Sequence, residues 1–153
     1  MNVRDAGDDD LEAIRRIYND AVAHTTAIWN EVLVDLDDRR RWAAARRALG
    51  YPLIVAEVDG EVAGYGSFAD FRAFDGYRHT CEHSVYVEGR FRRRGLARAL
   101  VVELETRARA LGKHAMIAGI EAGNEASIAL HADLGFVEVG RLPQVGRKFE
   151  RWL

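Results

Sequence analysis

The residues of this chain best suited to chemistry with a charged ligand are Arg92-Arg93-Arg94 followed by Gly95-Leu96-Ala97. They stand between a strand-like run, Glu82-His83-Ser84-Val85-Tyr86-Val87, and a long helical stretch. A strand, a tight basic glycine turn and a helix start in succession gather several backbone N–H groups and the positive end of a helix dipole at one spot. Gly95 lets the backbone approach a ligand closely, and the arginines flank the place where diphosphate charge would lie. This order of elements favours phosphate binding over an exposed turn whose charges are merely solvated.

The rest of the composition narrows the choice. The chain has 153 residues, 48% hydrophobic and 30% charged, enough for one domain with a real core. Its formal net charge is −2, so the arginine cluster is local to a mildly acidic protein, which argues against a nucleic-acid binder. No apolar segment approaches the roughly 20 residues that span a bilayer, and no leader is visible, so a soluble, cytoplasmic protein is expected. Cys81 is the only cysteine, which excludes an internal disulfide and suits a small strand residue better than a nucleophile. His24, His79 and His114 show no ligand-like spacing, and no metal is assigned.

The elements that must position these residues can be read from periodicity. Asp8-Asp9-Asp10 offer N-cap and dipole-compensating acids ahead of Leu11, Ile14, Ile17, Tyr18, Ala21 and Val22, which recur at helical spacing. A second helix is predicted from around Asp35 to Asp38, carrying Trp42, Ala45 and Leu49 and stopping at Gly50. Leu53 to Ala56 and Val62 to Tyr65 flank Asp59-Gly60 as a hairpin. Cys81 to Val87 reads as a strand, Leu96 to Leu111 as a helix closed by Gly112, and Ala115 to Ile120 as a buried strand. A short helix over Asn124 to Leu134 ends at Gly135, and Phe136 to Val139 reads as a last strand. The sum is a mixed sheet with helices on its faces.

These blocks resemble the GNAT N-acetyltransferases. The resemblance rests on the order of elements, the Arg-x-x-Gly-x-Ala turn ending at Ala97, and Asn124-x-x-Ser127-x-x-Leu130-His131-x-x-Leu134-Gly135-Phe136. More narrowly, Ile17-Tyr18-Asn19, Thr25 to Trp29, Glu82 to Val87 and Pro143 to Phe149 resemble the phosphinothricin and methionine sulfoximine acetyltransferases. Ala97 stands where glycine is usual.

The resemblance implies an α/β (α+β) fold of GNAT type, a mostly antiparallel central sheet flanked by helices on both faces, in one domain over 1–153. It implies acetyl-CoA as co-substrate, with the backbone of Val85, Tyr86 and Val87 on the pantetheine arm and the turn Arg92, Arg93, Arg94, Gly95, Leu96, Ala97 and Arg98 on the diphosphate. Asn124 would bond the pantetheine, and the same residue with Ser127 beside it also suits a helix N-cap. Glu82 is the expected general base, against a strand-end carboxylate paired with an arginine. His131 stands where many of these enzymes place a tyrosine that protonates the departing thiolate, although a lone histidine on an apolar helix face also suits packing. Arg72-Ala73-Phe74 aligns with the family's acceptor segment, and with Trp29, His83 and Ser84 would complete the acceptor site around Glu82. The implied acceptor is a small amino acid analogue; a peptide acceptor and a non-catalytic acyl-CoA-binding module are the alternatives. A homodimer is expected, with Gln144 to Lys148 reaching the neighbour. The family continues past Arg151-Trp152-Leu153 into a further strand, so the recorded chain is expected to be trimmed.

If β alternation holds, Glu82 and His83 point to opposite faces.

Overall fold

The structure is a computed structural model describing residues 1–153. Five strands form one sheet in the order β1 (Asn2–Asp5), β2 (Leu53–Val58), β3 (Glu61–Asp70), β4 (Thr80–Val87), β5 (Ala115–Ile117). The first four pair antiparallel and β5 lies parallel to β4. The hairpin of β2 and β3 turns at Asp59 and Gly60, both at positive φ (52° and 81°), as an Asp-Gly turn requires.

Helices α1 (Leu11–His24) and α2 (Leu36–Ala48) cover one face of the sheet. Leu11, Ile14 and Ile17 of α1 and Ala43 of α2 pack there on Leu53, Val55 and Tyr65. Helix α3 (Leu96–Ala110) covers the other, setting Leu96, Leu100, Leu104 and Ala108 against Ile54, Ala63, Phe68 and Cys81. The two sets alternate along β2, and in β3 a bulge opposite Ala56 and Glu57 sets Ala63 on the α3 side although Tyr65 faces α1 and α2, so both faces of the sheet are buried. Helix α4 (Glu125–Asp133) follows β5, and a two-residue hairpin, β6 (Arg147–Lys148) and β7 (Arg151–Trp152), ends the chain apart from the main sheet.

Several sequence expectations shift. The triad Asp8–Asp10 forms a 3-10 turn, and the Asp10 carboxylate accepts from Arg4 (2.7 and 2.9 Å) and the Gly7 N–H (2.7 Å), so it caps no helix. The inward face of α2 is Arg39, Trp42, Ala43 and Arg46; Ala45 and Leu49 are exposed. Strand β1 has one apolar residue and owes its status to pairing with β2. Strand β5 is half-buried and stops at Ile117, three residues short of the expected end.

Phe136 to Val139 forms no strand, and Val137 and Val139 are exposed. The cause lies at the C-terminus of α4, where the N–H of Gly135 donates to Ala132 O and that of Phe136 to His131 O. This is the Schellman arrangement, and it turns Phe136 back onto His131 and His83.

Candidate active site

The parallel pairing of β4 and β5 ends at Glu82 opposite Ile117. Beyond it, β4 keeps β3 on one side and has no strand on the other, so the edge of Ser84 to Val87 is open to a ligand. A cleft of about 230 Å³ lies in this opening, walled by Glu82 to Tyr86 of β4, Ala118 to Glu121 beyond β5, and Asn124, Ser127 and His131 at the start and along α4. Ala27, from the loop after α1, completes it.

The open edge of β4 runs toward the basic turn. After a 3-10 turn at Gly89–Phe91, Arg93 (φ 62°) and Gly95 (φ 80°) take left-handed conformations and Gly95 becomes the N-cap of α3. A left-handed residue without Cβ carries no steric cost there, which explains the glycine. No backbone hydrogen bond outside the regular elements is donated by residues 93 to 98, and the first N–H groups of α3 have no helical acceptor. Arg92, Arg93 and Arg94 are exposed and form no ion pair, whereas Arg98 meets Asp133 at 3.2 Å. The turn is a set of uncommitted donors, as a diphosphate requires.

Asn124 caps α4 by accepting from the Ser127 N–H at 3.2 Å, which leaves its side-chain NH₂ without a partner on a residue that lines the cleft. Capping and ligand contact are thus compatible in one side chain.

Alternation holds through this part of β4. Cys81 is buried against α3 and His83 against His131 of α4 and Phe136, whereas Glu82 and Ser84 reach the side of α1 and α2. Burial raises the Cys81 thiol, so it is inert packing. Glu82 is exposed and forms no ion pair, so the alternative of a structural salt bridge is not what the fold makes. Its Oε1 passes so close to Gly119 that a Cβ there would lie 2.8 Å away, so glycine at 119 holds room for the carboxylate.

Glu82 and Ser84 also line a second, smaller cleft of about 100 Å³ on the α1 and α2 side, with Tyr18, Arg39, Trp42, Arg46, Tyr65 and Tyr86. Arg39 is buried, bonded to Asp38 (2.6 Å), and lies over the rings of Tyr18 and Trp42. Arg46 has only the Phe68 carbonyl at 3.3 Å, and burial lowers its pKa. A half-buried guanidinium without a carboxylate, beside Glu82, can receive a carboxylate from a ligand. Periodicity does not reveal this cleft, because arginines on the inward face of α2 carry the pattern of a solvent-facing side.

On the opposite side, His83 and His131 meet. Their Nε2 atoms are 2.9 Å apart, and the rings pack on Phe136. Burial pushes the His83 pKa down to about 4. The two residues are 48 positions apart, and nothing local announces the contact.

Other expected acceptor residues lie elsewhere. Arg72, Ala73 and Phe74 are exposed in the turn between β3 and β4, with Arg72 stacked on Phe71 (5.1 Å), and they line neither cleft. Trp29 donates to the Thr26 carbonyl (2.9 Å), packs against Gly146, and is also outside both clefts. Lys148, in the segment expected to reach a neighbouring subunit, is buried within its own chain, donating to the carbonyls of Val22 (2.7 Å), Thr25 (2.7 Å) and Ile28 (2.5 Å). That ties the end of α1 to the β6 and β7 hairpin.

Comparison with known proteins bears on the family and the fold. The model of the acetyltransferase (GNAT) family matches residues 13–136. The chain is 54% identical, over all of its length and 90% of the other's, to the L-methionine sulfoximine/L-methionine sulfone acetyltransferase of Salmonella typhimurium. Among solved structures, the ribosomal-protein-alanine N-acetyltransferase of Brucella melitensis superposes with a TM-score of 0.98 at 53% identity, covering 99% of this chain and 94% of that one. The phosphinothricin acetyltransferase of Sinorhizobium meliloti in complex with acetyl-CoA superposes at 0.96 with 36% identity, covering 99% and 83%.

Proposed function

The chain belongs to the acetyltransferase (GNAT) family, and we propose that it transfers an acetyl group from acetyl-CoA to the α-amino group of a small amino acid analogue of the methionine sulfoximine, methionine sulfone or phosphinothricin kind. The observation that carries this reading is Glu82, an unpaired carboxylate shared by two clefts, one bounded by the open edge of β4 and the other holding an unpaired guanidinium. The names of the Salmonella and Sinorhizobium relatives supply the acceptor class.

Acetyl-CoA supplies the acetyl group as a thioester open to attack by an unprotonated amine. The turn from Arg92 to Arg98 holds the diphosphate through backbone N–H groups and guanidinium charge, and the main chain of Val85 to Val87 with Asn124 and Ser127 lines the pantetheine. Glu82 takes the proton of the acceptor amine, directly or through one water. His131 gives a proton to the departing sulfur. Ser84 and His83 flank the reacting groups; Arg72, Ala73, Phe74 and Trp29 line neither cleft and take no part in this step.

One domain over 1–153 carries this activity, in the cytoplasm. A homodimer belongs to this reading, and the exposed apolar residues of the C-terminal segment, Val137, Val139, Leu142, Val145 and Trp152, support it. No helix is long and apolar enough to cross a membrane.

A second reading, acetylation of protein N-termini, is favoured by the name of the Brucella relative. Release of CoA with the three analogues, beside ordinary amino acids and peptides, separates the two. Turnover on the analogues supports the first reading and turnover on peptides alone the second. Acetyl-CoA binding without turnover on any amine would leave a non-catalytic binding module.

A further inference from the structure

The contact between His83 and His131 restricts where ring protons can sit. His83 Nδ1 lies 3.1 Å from the carbonyl oxygen of Ile117, and His131 Nδ1 lies 2.7 Å from that of Ser127. A carbonyl oxygen only accepts, so each Nδ1 must carry a hydrogen to make these contacts. The two Nε2 atoms then face each other at 2.9 Å, and two bare lone pairs at that distance repel. One proton between them removes the conflict.

A neutral pair leaves one Nδ1 bare: that of His83, against the Ile117 carbonyl at 3.1 Å, or that of His131, which then carries its hydrogen on Nε2. The second arrangement sets a lone pair against the Ser127 carbonyl at 2.7 Å and relies on the Ser127 hydroxyl, at 3.4 Å, as donor. The shorter contact is the one that needs a hydrogen on Nδ1. We infer that His83 and His131 hold three protons on their four ring nitrogens, with the third shared between the Nε2 atoms, and that His83 is the positioning residue that keeps this proton on His131.

The lowered pKa of His83 agrees with a neutral ring that accepts through Nε2. Two carboxylates share the cleft with the pair, Glu82 and Glu121, and neither bonds a histidine ring. From β4 the nearest titratable groups are Cys81, buried on the same face, and Glu82, directed to the other. The segment after β5 contributes Glu121, which bonds Thr26 and the Gly123 N–H. Helix α4 contributes Ser127, and the turn after it the ring of Phe136. Neither histidine is ion-paired with a carboxylate.

The inference rests on the proposed acetyl transfer for its purpose. In that reaction the acyl carbon gains a bond to the acceptor nitrogen and loses its bond to sulfur, and the C–S electron pair leaves on sulfur. The shared proton moves to sulfur to give the thiol, the pair becomes neutral, and water restores its proton. The amine's own proton goes separately to Glu82.

Ring ¹⁵N NMR of the full-length protein near neutral pH tests the proton count without any turnover. The expected result is both Nδ1 atoms protonated and one hydrogen coupled to two Nε2 atoms; a bare Nδ1 on either histidine would overturn the inference. The role in transfer is read from pH–rate profiles. In His83→Leu, which removes the acceptor, the alkaline limb should move to lower pH by about one unit, a roughly tenfold rate loss above it. In His83→Gln, whose amide oxygen can accept from His131, the limb should return toward the parent position. An unchanged limb in folded His83→Leu would overturn the positioning role. If the protein acetylates nothing, the NMR result still decides the pair while the functional reading falls.

Discussion

The two faces of β4 are built on opposite rules. Toward α3 and α4, polar groups are consumed within the protein: Cys81 is sealed by packing, and His83 is held by the Ile117 carbonyl and by His131. Toward α1 and α2, Glu82 has no ionic partner and Arg46 faces it with none. A strand that alternates strictly therefore carries a hydrogen-bonded polar pair one residue away from an exposed carboxylate with no ionic partner. Satisfaction and exposure divide by face, so stability and activity should respond to different residues of the same strand.

The largest test of that division is Glu82→Gln. Activity should fall about 10²- to 10⁴-fold in kcat, the range for loss of a general base, while the melting temperature stays nearly constant because no ion pair is lost. Parallel kinetics and thermal denaturation check it; unchanged turnover would remove Glu82 from the mechanism.

Gly119→Ala sharpens the same point from the opposite wall. The new Cβ would stand 2.8 Å from Glu82 Oε1, the mobile end of a side chain, so the carboxylate must shift. A displacement near 1 Å costs about 10- to 100-fold in kcat, with little change in stability.

At the basic turn the effect should appear in binding instead. Gly95→Ala puts a Cβ on a residue at φ 80°, costing about 1–2 kcal/mol of local strain. We expect the KM for acetyl-CoA to rise roughly tenfold, in proportion to that strain, with the acceptor KM unchanged. Steady-state titration of each substrate distinguishes the two.

The smallest effect concerns Asp10, on neither face of β4. The Arg4 guanidinium holds its carboxyl below the usual carboxylate range, so the folded pKa lies under the unfolded one. Its contribution is therefore present above about pH 4, the unfolded value, and disappears as pH falls through the folded pKa. Asp10→Asn should destabilise by about 1–2 kcal/mol at neutral pH and progressively less in acid, measured by urea denaturation across pH.

Parts of this are legible directly from residues because they depend on neighbours in sequence. The Asp59-Gly60 hairpin, the Asn124 cap and the Gly95 turn each use chemistry contained within four residues. The extent of helix α2 is legible to within two residues, yet its inward face is not, because arginines that bury against Tyr18 and Trp42 look like solvent-facing residues in a one-dimensional pattern. Phe136 to Val139 shows strand-like composition, but a strand exists only with a neighbour, and the α4 terminus sends this segment elsewhere.

The order of elements and the basic glycine turn come from the amino-acid order alone, since short-range periodicity and turn chemistry encode them, whereas Glu82 stands out only through the family resemblance of its block. Tertiary structure decided that β5 parts from β4 after Ile117, that Arg46 stands unpaired beside Glu82, and that His83 meets His131 across 48 residues. Those features arise from packing between distant segments, and no local pattern of residues specifies which distant partner a side chain will find.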